Sequence, residues 1–193
     1  MTITSFPIQF LQGLVRNNKG HCLRDYQFST DIQFENCNDA VVWMFPIDCP
    51  SKYNPDIIPL SEKDILMLTS DKSIAGYLRF SLSRVFRFYK SNAFHPCQKS
   101  HHYFRFARIL RCLWLSGLKR EYVSLQRFLD KLYLADSSLI GIPMFLHWKY
   151  ANNDIFNIDD VPDELATTIK SPVEVGTRSE FADGFSVGDA CYY

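Results

Sequence analysis

Between residues 73 and 134 the apolar side chains recur every three to four positions, and this period limits the folds open to the chain. Leu78, Leu82, Val85, Phe86 and Tyr89 make one stripe. Tyr103, Phe106, Leu110, Leu113 and Trp114 make a second. Tyr122, Leu125, Leu129 and Leu132 make a third, with Phe128 beside it. Stripes of this period bury one face of an α-helix. The spacing predicts helices over about 73–90, 101–116 and 119–134. Gly117 stands where a helix end takes a left-handed residue. The second and third helices are therefore expected to be antiparallel neighbours.

The flanking chain is less regular. Phe6, Phe10, Leu11 and Leu14 suit a short amphipathic helix or an extended start. Asn17–Gly20 is turn chemistry. Tyr26, Phe28, Ile32 and Phe34 are all even-numbered, which suits a strand or an irregular arm. Four prolines, at 46, 50, 55 and 59, make the stretch after Trp43 ordered but irregular. Ser61-Glu62-Lys63-Asp64 reads as a capped helix start. Residues 139–150 are a last apolar, aromatic segment. The fold class is thus all-α: a helical domain over 1–150 and an acidic C-terminal tail over 151–193. The tail is poor in apolar surface and is expected to be partly disordered.

The formal net charge of +0 conceals an asymmetry. Residues 1–150 hold 19 basic and 12 acidic side chains, a balance of +7, and residues 151–193 hold 2 and 9, a balance of −7. Arg79–Lys131 alone carries 12 basic and 2 acidic residues. Such a field attracts nucleic acid, anionic lipid or an acidic protein segment, and the chain's own tail is a candidate for the last. The plainer reading makes these cations the solvated faces of amphipathic helices. A nucleic-acid surface would use Arg79, Arg84, Arg87, Lys90 and Arg111, and would also need Arg105 and Arg108 exposed beside Arg79 and Arg87. Ser91–Ser100 is too long a loop for a helix-turn-helix.

Sites of other chemistry find less support. None of the six cysteines forms a C-x-x-C pair, and they read as reduced in an intracellular chain with no signal peptide. No stretch reaches the roughly 18 apolar residues of a membrane span. His95, Cys97, His101 and His102 are weak metal candidates, because H-x-C-x₃-H-H lacks a second ligand pair. A Cys/His nucleophile built on Cys37, Cys97 or Cys112 has no surrounding signature. Asp31, Glu35 and Asp39 share helical spacing, as solvated acids commonly do. Nucleotide loops and the nucleophile elbow are missing from the sequence. No cofactor is implied, and an enzyme is the less favoured class.

Two blocks carry a resemblance. The first is Asn38-Asp39-Ala-Val-Val-Trp43-Met-Phe45-Pro46, followed by Ser51, Asn54, Pro59-Leu60-Ser61 and then Ser81–Tyr89. The second is His101-His102-Tyr103-Phe104-Arg105-Phe106-Ala107-Arg108-Ile109-Leu110-Arg111, with Leu115, Gly117 and Leu118. Together they resemble the conserved region of the opioid growth factor receptor family, over about residues 5–150. Asn38 stands for the family's His, Val42 for its Gln, and Phe106-Ala107 for its Ile-Thr. The resemblance implies a mainly helical, non-enzymatic module that takes a peptide or protein, with peripheral membrane association. It would place a ligand groove by the Trp43–Pro46 block, lined by Asp39, Trp43, Phe45, Arg105 and Arg108. The same residues also read as folding signatures. Trp43 and Phe45 would then be core anchors, and Arg105 and Arg108 interior ion-pair partners, with Asp39 as candidate carboxylate.

Overall fold

Ten helices follow one another in a computed structural model that describes residues 4–37, 39–50, 55–91, 102–135 and 137–153. Among the described residues there is no strand. The acidic tail beyond residue 153 and the His95, Cys97 and His101 candidates lie outside the described residues.

The first half is made of short helices whose ends are set by local chemistry. α1 spans Phe6–Leu11 with Pro7 in its first turn, where the amide that proline lacks would be unpaired anyway. α2 spans Leu23–Gln27, and the Asp25 carboxylate accepts from the Cys22 amide at its start. α3 spans Asp31–Asn36 and is capped by Thr30, whose hydroxyl accepts from the Gln33 amide. The even-numbered alternation over 26–34 is therefore neither strand nor irregular arm. Two helical turns joined at Phe28–Thr30 bury Tyr26 and Phe34 and leave Phe28 and Ile32 exposed. The capping pair Thr30…Gln33 outweighs four residues of alternation.

α4 spans Ala40–Met44, and all five of its residues are buried. The irregular chain after it is held at both ends, because the Leu60 amide donates to the Ile47 carbonyl at 2.8 Å. α5 spans Glu62–Ser70. The Ser61–Asp64 capping box forms as the sequence suggests, with Asp64 itself buried.

The three long helices sit where periodicity places them. α6 spans Lys72–Ser91, α7 His102–Leu115 and α8 Lys119–Ala135. Gly117, at φ 69°, makes the joint between α7 and α8. Trp114 meets Tyr122, and Phe106 meets Phe128, so α7 and α8 run antiparallel. Arg79 pairs with Glu121, and Phe86 meets Phe128, so α6 and α8 run parallel.

α7 is the axis of the domain. It packs against α4, α5, α8 and α10, and every residue from Arg105 to Leu113 is buried. A single apolar stripe understates it, and Trp114, expected in that stripe, is partly exposed. α9 spans Ser137–Ile140 and α10 spans Ile142–Lys149. Trp148 of α10 is buried and donates its indole N–H to the Tyr103 carbonyl at 2.9 Å. Among the described residues no helix is long and apolar enough to cross a membrane.

Candidate functional site

The Trp43–Pro46 block lies in the core. Trp43 is almost wholly buried, with the rings of Phe10 at 5.1 Å and Phe6 at 5.9 Å, and Phe45 is fully enclosed. Arg105 and Arg108 are buried on α7. Arg105 hydrogen-bonds the Tyr89 hydroxyl, which burial pushes well above its ordinary value while the guanidinium pulls the other way. Arg108 lies near Cys112, whose thiol is pushed up to about 12 by complete burial. Trp43, Phe45, Arg105 and Arg108 therefore lie within the packed interior. The nucleic-acid reading required Arg105 and Arg108 on an exposed surface with Arg79 and Arg87, and that surface does not form.

Asp39 does not serve these arginines. Its carboxylate takes Lys19 Nζ at 2.8 Å on one oxygen and the Cys37 thiol at 3.1 Å on the other. Burial alone would raise the Asp39 carboxyl, but the Lys19 and Cys37 hydrogen bonds outweigh it and hold it low. Burial, then the Asp39 carboxylate, push the Cys37 thiol up. Tyr26 completes the cluster, its hydroxyl accepting from Asn17 Nδ2 at 2.6 Å. A reactive cysteine needs a depressed pKa; Cys37 has the reverse.

Two further cations singled out for a polyanion surface also lie inside. Arg111 forms a bidentate pair with Asp48, with Nε 2.9 Å from Oδ1, and donates to the Asn153 carbonyl at 2.8 Å. It thus ties the proline-rich segment and the chain after α10 to α7. Arg84 is 1% exposed. Its guanidinium lies over the Phe34 ring at 4.5 Å and near Phe88 at 5.9 Å, with Nη1 3.0 Å from Asp31 Oδ1. Its fork makes no aligned hydrogen bond among the described residues. Both are corrections to the expectation that Arg84 and Arg111 belong to a solvent-facing polyanion surface. Wide planar fork, flat faces and long apolar stem let Arg be buried where Lys would not be. Lys90 and His102 belong to α6 and α7. Among the described residues no group of three or more His, Cys, Asp or Glu could hold a metal ion.

Among the described residues, one exposed face brings touching aromatic rings together with cations. Phe28, Ile32, Tyr77 and Phe80 are 68, 75, 38 and 42% exposed. Phe28 and Phe80 touch, with centroids 5.3 Å apart. Ile32 is the second residue of α3, just past the Phe28–Thr30 bend, and Tyr77 lies one helical turn before Phe80. Arg87 lies seven residues after Phe80, two turns along the same side of α6, and is exposed. Arg24, exposed on α2, stands four residues before Phe28. From Lys72 to Ser91, α6 contains five cations and no carboxylate. The sequence pattern missed this face because Phe28 and Ile32 looked like core residues of a strand.

No family model, curated protein or solved structure matches this chain.

Proposed function

We propose that this protein is a non-enzymatic interaction module that takes an acidic, apolar polypeptide segment on the face made by α2, α3 and α6. The observation that carries the reading is the exposed cluster of Phe28, Ile32, Tyr77 and Phe80 beside Arg24 and Arg87. Isolated exposed apolar residues are ordinary, whereas a contiguous aromatic and aliphatic patch rimmed with one sign of charge marks an interaction site. The opioid growth factor receptor resemblance agrees in kind, since it too implies a helical module for a peptide or protein. In this chain the ligand face moves away from the Trp43 block, which the core uses.

A nucleic-acid surface is the less favoured reading, because Arg84, Arg105, Arg108 and Arg111 are withdrawn from solvent. The test is fluorescence anisotropy with three labelled peptides of equal length: acidic–apolar, basic–apolar and acidic–polar. The acidic–apolar peptide is expected to bind most tightly, and the Phe28→Ser/Phe80→Ser variant to lose that preference. Equal affinity for all three would overturn the proposal.

A further inference from the structure

Forty residues of the sequence follow Asn153, and one stretch among them has the chemistry that this face would recognise. From Asp159 to Ile169 the sequence reads Asp-Asp-Val-Pro-Asp-Glu-Leu-Ala-Thr-Thr-Ile, with four carboxylates and no cation. Val161, Leu165 and Ile169 recur every four residues, the spacing by which apolar anchors enter a groove between helices. We infer that segment 159–169 is an intramolecular occupant of the α2–α3–α6 face and competes there with outside partners. The inference rests on the interaction reading above and extends it to regulation.

Charge complementarity favours this occupant over a second copy of the helical domain. The face presents Arg24 and Arg87 beside its rings, while Lys72 and Arg79 lie on the flank of α6 turned away from α2, where Arg79 pairs with Glu121 of α8. Nearby carboxylates are Asp31, engaged by Arg84, and the exposed Glu35. Two copies of a face with this excess of cations repel, whereas four carboxylates on one short segment match it.

Reach allows it as well. The Arg111 contact places Asn153 beside α7. An extended chain covers about 3.3 Å per residue, so the twelve residues from Asn153 to Leu165 span about 40 Å. That is roughly the diameter of a domain of this size.

Gly76 leaves room on this side of α6 for another backbone to approach. It lies inside the helix on the Phe80–Arg87 side, four residues before Phe80, and is exposed. A Cβ added there would meet nothing within 4 Å, so the packing of the domain does not require glycine. Glycine inside a helix is unfavourable relative to alanine, and its missing side chain is what would let a docked segment lie close to α6.

The experiment uses the full chain carrying a photoreactive p-benzoylphenylalanine at Leu165, irradiated at low concentration and mapped by mass spectrometry. The inference expects an intramolecular crosslink to peptides from residues 23–36 or 72–91. It also expects the yield to fall at least about tenfold in Arg24→Glu/Arg87→Glu, as like charges are brought together. Asp159→Lys/Asp160→Lys in that background should restore it. Gly76→Leu, which fills the open space without strain, should lower the yield too. A crosslink to any other element, only intermolecular products, or a yield unmoved by charge reversal would overturn the inference.

A synthetic peptide of residues 159–169, added to full chain with its four segment carboxylates changed to amides, separates the two proposals. Peptide binding without the intramolecular crosslink leaves the interaction reading standing and removes the regulation. Absence of both removes both.

Discussion

Arg84 shows how far one side chain can depart from a helical wheel. Its position predicts solvent, yet the guanidinium lies between Phe34 and Phe88 with a single carboxylate contact. A buried cation of this kind contributes mainly through its packed stem and ring contacts, because desolvation offsets the ion pair. Arg84→Met is therefore expected to lie within about 1.5 kcal/mol of the parent, as volume-conserving replacements usually do. Arg84→Ala should destabilise by about 2–4 kcal/mol, because it removes the stem and leaves a void. Urea unfolding of the two variants checks the contrast.

At Asp39 the expectation concerns pH. Its carboxyl is held below the ordinary aspartate value of 3.8, so the Lys19–Asp39–Cys37 cluster adds stability above that pH. The contribution is lost as pH falls through the lower folded value. Asp39→Asn should flatten the acid limb of stability below pH about 4. It should also lower the Cys37 pKa, since the carboxylate is one of the groups that raise it. The alkylation rate of Cys37 against pH reads this directly, and a profile unmoved by Asp39→Asn would contradict the account.

Among the elements, those with a strong period were legible in the sequence, as was the Ser61 capping pair, whereas the capped α2 and α3 were read as strand or irregular arm. α6, α7 and α8 follow from their stripes, and α5 from Ser61 and Asp64. α2 and α3 are too short for periodicity to show, and their signals were caps: Cys22 with Asp25, and Thr30 with Gln33. The burial of α7 on nearly all sides was only partly legible: Arg105 and Arg108 could be read as interior, but Arg111 and the single stripe made the helix look amphipathic although the fold encloses it.

Gly117 tests the joint at this scale. Its φ of 69° is the left-handed conformation in which a Cβ crowds the following carbonyl. The nearest atom to an added Cβ is Thr69 Cγ2 at 3.8 Å, an ordinary contact, so strain and not collision decides the cost. Gly117→Ala should cost about 1–2 kcal/mol, and Gly117→Asn less, because Asn tolerates that region better. Thermal unfolding of both variants measures the order, and equal loss would contradict it.

Across the whole molecule, charge is divided between interior and surface in a way that composition cannot reveal. The basic excess of Arg79–Lys131 suggested a polyanion face. Folding places Arg84, Arg105, Arg108 and Arg111 against rings, Asp31, Tyr89, Asp48 and the carbonyl of Asn153. Of the cations left outside, Arg24 and Arg87 stand with exposed aromatic side chains on α2 and α6, whereas Lys119, Arg120, Arg127 and Lys131 line the solvent side of α8. The Trp43 block was legible both as a ligand groove and as core anchors, because a strongly patterned sequence marks packing as readily as binding, and burial decides for the core.

The most direct measurement titrates a labelled duplex DNA and a labelled acidic–apolar peptide in parallel, by anisotropy, into the full chain whose segment 159–169 carboxylates are amides. The account predicts saturable peptide binding that Phe28→Ser/Phe80→Ser abolishes, with duplex affinity no tighter than about 10⁻⁴ M at physiological salt, the weak end of non-specific association. Micromolar duplex binding with a steep salt dependence, unchanged by Phe28→Ser/Phe80→Ser and accompanied by no peptide binding, would contradict it.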